Sequence, residues 1–161
     1  MIPDSLKDLP DALALEQRFP AAIQGGHNER NEPTLFIEPN AIVEVCGYLK
    51  ATQGFNRLVG ITAVDWYPAD PRFEVVYMVH ALDKNVRLRL KCRIADGADI
   101  DTVTPVWSGA NWYEREMFDM FGIKFRNHPD LRRILMPADW ESFPLRKEYP
   151  VHGHKYSYQN E

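Results

Sequence analysis

The sequence has little of what a membrane-spanning, exported or nucleic-acid-binding protein needs. No stretch approaches the roughly 20 consecutive apolar residues that cross a bilayer. The N-terminal segment has early acidic residues and prolines instead of the basic start and apolar run of a signal peptide. Because 19 Lys and Arg are set against 23 Asp and Glu, the net charge of -4 gives no overall positive field for a nucleic-acid backbone. We expect no nucleic-acid partner, and membrane contact only through other proteins.

Ligands for common cofactors are equally scarce. Cys46 and Cys92 are the two cysteines and lie far apart, whereas an iron-sulfur cluster usually needs four thiolates, so we predict two buried thiols in a reducing compartment. Neither GxGxxG nor GxxxxGK[ST] occurs, so a nucleotide-phosphate loop is not indicated. His152 and His154 lack a third metal ligand, and no GxSxG elbow suggests a hydrolase. We therefore expect this chain to bind no cofactor itself.

What is present is the pattern of one small α+β domain. The predicted elements are a helix at 11–18, a loop at 24–33, a strand at 34–37, a helix at 41–51 capped by Asn40, and strands at 58–64, 73–82 and 86–94. This order predicts a mostly antiparallel or mixed sheet covered by helices. We assign residues 1–135 to this domain and 136–161 to an extended tail rich in proline and aromatic residues.

The last two predicted strands form a hairpin with two different faces. Apolar residues alternate with four cations, Arg87, Arg89, Lys91 and Arg93. Such a basic face is typical of a solvated sheet surface, and an acidic neighbour is the less favoured alternative.

The block from residue 107 to residue 150 carries the most information. Asn111 is predicted to cap a helix, with Glu114 in a capping box, and Gly122 to end that helix in the left-handed conformation. Glu114 falls on the apolar arc of the helix, where an ionised carboxylate is costly to bury unless it is paired. Glu114 should therefore either turn back to the cap or meet a cation, and we predict an ion pair with Arg132 or Arg133, the nearest cations in sequence.

Charged and aromatic residues alternate densely in this block. An ordinary amphipathic helix with surface charges would explain any single residue. It would not explain the whole block, because both the polar and the apolar side of the helix carry groups that need partners. A protein interface explains the whole pattern better. A stand-alone acid/base enzyme using Glu114, Glu116, Asp119 and His128 is a low-ranked alternative, because the helix separates Glu114 from the other carboxylates.

The same block carries a family resemblance. The residues that match in order and spacing are Trp112, Glu114, Arg115, Glu116, Asp119, Phe121, Gly122, His128, Pro129, Leu131, Arg132, Arg133, Ile134 and Leu135, then Asp139, Trp140, Pro144, Leu145, Arg146, Lys147, Tyr149 and Pro150. In these residues the chain resembles the thirty-kilodalton subunit family of respiratory complex I, which comprises the C subunits of NADH:quinone oxidoreductase. Ser142, Phe143 and Glu148 depart from the family's usual residues.

The resemblance implies a protein without an active site of its own. Such proteins lie in the hydrophilic arm on the cytoplasmic side of the bacterial inner membrane and contact the D, B and I subunits of complex I. FMN and iron-sulfur clusters are expected in partner subunits, which pass electrons from NADH to quinone while protons are translocated. Equivalent subunits occur in membrane-bound hydrogenases and in ferredoxin- or F420-dependent complexes, which remain the alternative.

The tail supports one further expectation. The segment RKEYPVHGHKYSYQNE has no helical or alternating period and carries three tyrosines that it cannot bury against itself. We predict that residues from about Arg146 onward cross a neighbouring protein of the complex as an extended strap and are disordered in the isolated chain.

Overall fold

The central sheet has five strands in the spatial order β1-β2-β5-β4-β3. The computed structural model describes residues 2–150. The strands are β1 (Ile23–Glu29), β2 (Glu32–Ile37), β3 (Arg57–Asp65), β4 (Phe73–Ala81) and β5 (Val86–Ile94). Neighbouring strands run antiparallel except β2 and β5, which are parallel. The predicted mixed, mostly antiparallel sheet is confirmed.

One face of the sheet forms the core. In the β4–β5 hairpin Tyr77 lies opposite Leu90 and Val75 opposite Cys92, and these side chains have no exposed surface. The helices are α1 (Pro10–Arg18), α2 (Ile42–Gln53) and α3 (Ala110–Phe121), and the buried apolar residues of all three join this core cluster. Cys46 of α2 and Cys92 of β5 are free, buried thiols whose pKa values are raised by burial. The α+β fold class is confirmed.

The opposite face of β5 carries the predicted basic residues, but most of them are paired. Lys91 Nζ lies 2.8 Å from Glu74 Oε1, and Arg89 contacts Glu32. Arg87 is exposed and forms no ion pair with another residue of the described range 2–150. The basic face is therefore largely neutralised by the chain itself.

A second, two-stranded sheet joins the chain segments before and after α3. Strand β6 (Ile100–Asp101), before the helix, pairs in parallel with β7 (Phe125–Arg126), after it. Gly122 ends α3 with φ of 77°, as predicted, and a side chain there would collide with the ring of Phe143. None of the helices described is long and apolar enough to cross a membrane.

Three local predictions are wrong. The segment 24–33, predicted as a loop, forms most of the β1–β2 hairpin, because pairing with β2 stabilises a strand that its polar and glycine residues do not favour alone. Neither Asn40 nor Asn111 caps a helix through its side chain. Turns precede both helices, and backbone carbonyls already accept from the amides of Ala41, Ala110 and Asn111.

Candidate functional site

Asp119, near the C-terminal end of α3, is the centre of a buried cluster that we call the Asp119 clasp. Its Oδ1 accepts from Arg133 Nη1 at 2.6 Å, and its Oδ2 accepts from the backbone amides of Ile134, Leu135 and Met136 at 3.0, 2.7 and 2.9 Å. Burial alone would raise the pKa of Asp119, but the hydrogen bonds from these residues lower it below its ordinary value. The clasp therefore fixes an irregular segment to the helix through one ionised side chain.

Glu114 is the second fully buried carboxylate of α3. The Thr102 hydroxyl donates to its Oε2, and the Val103 amide donates to its Oε1 at 2.8 Å. Burial raises the pKa of Glu114 to about 7, although the Thr102 and Val103 hydrogen bonds act in the opposite direction. Burial therefore favours the protonated form of Glu114 far more than it would for an exposed glutamate.

The predicted arginine partners of Glu114 are engaged elsewhere. Arg133 belongs to the Asp119 clasp, and Arg132 pairs with Asp130 at 2.9 Å. The His128 ring lies beside Glu114, with its Nε2 3.8 Å from Glu114 Oε2, and has no exposed surface. Burial lowers the pKa of His128, so a neutral imidazole faces Glu114. The predicted ion pair is wrong, and loop hydrogen bonds stabilise the carboxylate instead.

Arg115 connects α3 to the segment that follows His128. Its guanidinium donates to the carbonyl oxygens of Arg132 and Arg133 at 3.2 and 3.4 Å and lies 5.1 Å from the centre of the Trp112 ring. Glu116 is half-buried and forms no ion pair with any other residue between 2 and 150. On the polar arc of the helix, Arg115 and Asp119 thus bind other parts of the chain, whereas Glu116 remains partly exposed to solvent.

A second buried carboxylate cluster, the Asp65 cluster, holds the start of the C-terminal segment. Arg72 donates to both oxygens of Asp65 at 2.9 and 2.7 Å, to Asp96 at 2.9 Å, and to Glu148. The Lys147 amide also donates to Asp65, at 2.9 Å. The hydrogen bonds from Arg72 first, and then the backbone bonds, hold the pKa of Asp65 well below its usual range. Arg72 likewise lowers the pKa of Glu148.

The contacts of residues 145–148 correct the strap prediction. The Leu145 amide donates to the Met120 carbonyl at 3.0 Å, and Arg146 Nε donates to the Phe121 carbonyl at 2.6 Å. With Lys147 and Glu148 in the Asp65 cluster, this stretch packs on its own domain and needs no partner for its position. Residues 151–161 of the predicted strap lie outside the described residues.

The remaining predicted residues divide by exposure. Phe121 is buried against Phe73, with ring centres 6.3 Å apart, whereas Trp112, Leu135 and Leu145 are exposed. The side chains that are at least partly open to solvent also include Pro129, Leu131, Asp139, Trp140, Pro144, Tyr149 and Pro150. The matched residues thus supply the Asp119 clasp, the buried carboxylate of Glu114 and an outer surface, and they do not all line one pocket.

Asp65 and Arg72 did not emerge from the sequence as site residues. The signal was present, because Asp65 ends β3 and Arg72 precedes β4, so antiparallel pairing of the two strands brings them together. Nothing local indicated that Glu148 would join them. Among the described residues, no group of His, Cys, Asp and Glu side chains could hold a metal ion.

Known proteins identify the family. A family model described as the respiratory-chain NADH dehydrogenase 30 kDa subunit matches residues 35–155. The C subunit of NADH-quinone oxidoreductase from Geobacter metallireducens is 44% identical over 143 residues, covering 88% of each chain. The C 2 subunit of the same enzyme from Rhizobium etli is 44% identical over 141 residues, covering 86% of this chain and 75% of that protein.

A solved structure shares the fold. It is a chain of the membrane-bound sulfane sulfur reductase, an archaeal respiratory membrane complex, with a TM-score of 0.73 and 24% identity over 87% of this chain and 85% of that one. At this identity the likeness concerns the fold alone. The family model and the relatives together show that this chain belongs to the 30 kDa subunit family of respiratory-chain NADH dehydrogenase, the C subunits of NADH-quinone oxidoreductase.

Proposed function

We propose that the chain contributes position rather than chemistry to NADH:quinone oxidoreductase, as a hydrophilic-arm subunit with no active site of its own. The observation that carries this proposal is the internal use of the ionisable side chains in the matched block. Glu114 and Asp119 have no exposed surface, and the ring of His128 has none either. A substrate could not exchange a proton with these three groups, and Glu116, the one partly exposed member of the acid/base alternative, would have to act without them.

The outward side of the block is shaped for contact. Trp112 is 61%, Leu135 62% and Leu145 52% exposed, so their apolar area is available to be buried by a partner. A concave surface of about 440 Å³ is lined by Arg115, Phe118, Arg132, Arg133, Met136 and Ala138, of which Arg115 lies over the Trp112 ring and Met136 follows Leu135 in the chain. We call these exposed residues and this concavity the α3 surface. Apolar area buried there by a partner would contribute roughly 25 cal/mol per Å² before ordering costs.

The expected partners follow from family membership. We propose that the α3 surface faces the D subunit, which carries the quinone site, with the B and I subunits as further neighbours. FMN and the iron-sulfur clusters would reside in partner subunits, and this chain would bind none of them. The complex would hold the chain on the cytoplasmic side of the bacterial inner membrane, as a peripheral component. Electron transfer requires fixed distances between cofactors, and rigid clasps such as that of Asp119 can maintain them.

A matched pair of leucine substitutions tests this proposal. Leu135→Ser changes the α3 surface, whereas Leu82→Ser changes a leucine of similar exposure, 49%, in the β4–β5 turn. Both chains should unfold at nearly the wild-type temperature, since neither leucine is in the core. Only Leu135→Ser should lower the amount of complex on a native gel and the NADH:quinone reductase activity of membranes. Equal assembly of the two variants, or turnover by the isolated chain, would contradict the proposal.

A further inference from the structure

An open groove of about 470 Å³ crosses one end of the sheet and shares no lining residue with the α3 surface, although the Tyr113 hydroxyl of α3 donates to the carbonyl of its residue Val59 at 3.1 Å. Its lining comes from the start of β2, the start of β3, the end of β4 and the start of β5. These four strands are consecutive in the sheet, so the groove spans three interstrand steps of about 4.8 Å, or about 14 Å. That length is too great for a single small anion and is comparable to about four residues of extended peptide.

Four arginines and one carboxylate line this groove, which we call the arginine groove. Arg30, Arg57 and Arg87 are exposed, and none forms an ion pair with any residue in the range 2–150. A fourth arginine, Arg89, is paired with Glu32, the one carboxylate among the described residues that line the groove. The groove therefore concentrates three uncompensated positive charges on a chain whose net charge is -4.

Two backbone irregularities shape the groove. Arg30 has a φ of 55° in the β1–β2 turn, a left-handed conformation that Asn or Gly adopts more readily than arginine. In β3 the register shifts between Leu58 and Gly60, so Val59 is an unpaired bulge residue, and its side chain is 41% exposed. Bulges commonly redirect a side chain next to a binding site. Val59 and the half-buried Met78 give the groove an apolar floor between its arginines.

We propose that the arginine groove binds an extended, acidic peptide segment of a neighbouring subunit. Carboxylates of that segment would meet Arg30, Arg57 and Arg87, while its side-chain methylenes lie over Val59 and Met78. The length of the groove, the separation of its charges and its apolar floor favour a peptide over a free phosphate. The inference rests on the proposed function only in that the chain has neighbouring subunits, and the contact surface is a different one.

Binding of a fluorescent octaglutamate peptide to the full chain tests the charge recognition. The double change Arg57→Gln/Arg87→Gln should weaken binding about ten-fold. The control Arg18→Gln/Lys124→Gln removes the same charge from exposed sites outside the groove and should leave the affinity unchanged. Binding should also weaken as salt is raised. Equal affinities for the two double variants would overturn the proposal, as would displacement of the peptide by inorganic phosphate at a similar concentration.

The assembled complex gives the second test. With p-benzoyl-phenylalanine at position 59, irradiation should link the groove to an acidic segment of another subunit, identified by mass spectrometry, and Arg57→Gln/Arg87→Gln should suppress that product. A lipid adduct, a segment without acidic residues, or no adduct would overturn the proposal. Because these variants leave the α3 surface intact, such a result would not affect the interpretation of Leu135→Ser.

Discussion

Replacing Asp119 with asparagine tests whether the Asp119 clasp holds the irregular segment after His128. The carboxylate has no exposed surface, and its two oxygens accept four hydrogen bonds, one from Arg133 and three from backbone amides. An asparagine in the same place keeps one acceptor oxygen. Its amide group would face either the Arg133 guanidinium or the backbone amides, all of which are donors.

The expected cost of Asp119→Asn follows from these contacts. Losing a charge-assisted hydrogen bond costs about 1.5 to 3 kcal/mol, and breaking a buried pair from one side costs about 3 to 5 kcal/mol. Because asparagine retains the shape and one oxygen, we expect the free energy of unfolding to fall by about 3 kcal/mol. With a urea dependence of about 2 kcal/mol per molar, the unfolding midpoint should move down by about 1.5 M.

Urea unfolding of the isolated chain, followed by tryptophan fluorescence, measures this change. Glu116→Gln is the matched control, since Glu116 lies on the same helix and has no ion-pair partner among residues 2–150, so its cost should stay within about 0.5 kcal/mol. The double variant Asp119→Asn/Arg133→Gln should cost less than the sum of its single changes, because both remove the same bond. Equal midpoints for Asp119→Asn and Glu116→Gln would refute the clasp.

Three further predictions follow from the buried carboxylates and the C-terminal contacts. Because the pKa of Glu114 is raised to about 7, its contribution to stability is present below about pH 4 and is lost as the pH rises through 7. Glu114→Gln should therefore reduce the fall in the free energy of unfolding between pH 5 and 8 by up to about 3 kcal/mol, measured by urea unfolding at each pH. Parallel pH profiles for the wild type and the variant would contradict this. In the same assay Asp65→Asn should lower the free energy of unfolding by about 3 kcal/mol, because it breaks a buried ion pair. Asp96→Asn should lower it by less than about 1 kcal/mol, because that side chain is 43% exposed. The reverse order would show that Asp65 is not the centre of the cluster. Deleting residues 146–161 removes the hydrogen bonds that Arg146 and Lys147 donate to Phe121 and Asp65. The melting temperature of the free chain should therefore fall by about 5 °C in calorimetry. An unchanged melting temperature would instead support the original strap prediction.

The sequence predicts the sheet well where local pattern is sufficient. Strands β3, β4 and β5 alternate or run apolar over about nine residues, so periodicity identifies them as strands. The short link that ends at Asn85 then predicts that β4 and β5 pair as a hairpin. Strand β1 carries Gly25 and Gly26 and few β-branched residues, and its conformation depends on pairing with β2. Such a strand has no period of its own for sequence reasoning to detect.

The candidate site shows a similar division. Helical periodicity correctly places Glu114 among apolar neighbours, and it is fully buried. Its partners could not be derived, because Thr102 and Val103 lie in an irregular loop 12 and 11 residues earlier, and hydrogen bonds of this kind leave no spacing rule. The nearest arginines in sequence were a reasonable expectation, but Arg133 reaches Asp119 across the helix end instead. Long-range polar partners depend on tertiary packing, which the sequence determines only as a whole.

The two carboxylate clusters explain how a segment without regular structure can present a fixed surface. Residues 127–150 contain no helix or strand, so no backbone ladder determines their shape. Asp119 and Asp65 replace that ladder, because each accepts backbone amides as well as an arginine. Buried ion pairs of this kind contribute little net stability compared with apolar packing, whereas they strongly disfavour alternative arrangements that would leave a charge unpaired. The two clusters therefore mainly fix the conformation of residues 127–150. A chain whose proposed task is to hold neighbouring subunits at fixed positions needs a fixed conformation more than it needs additional stability.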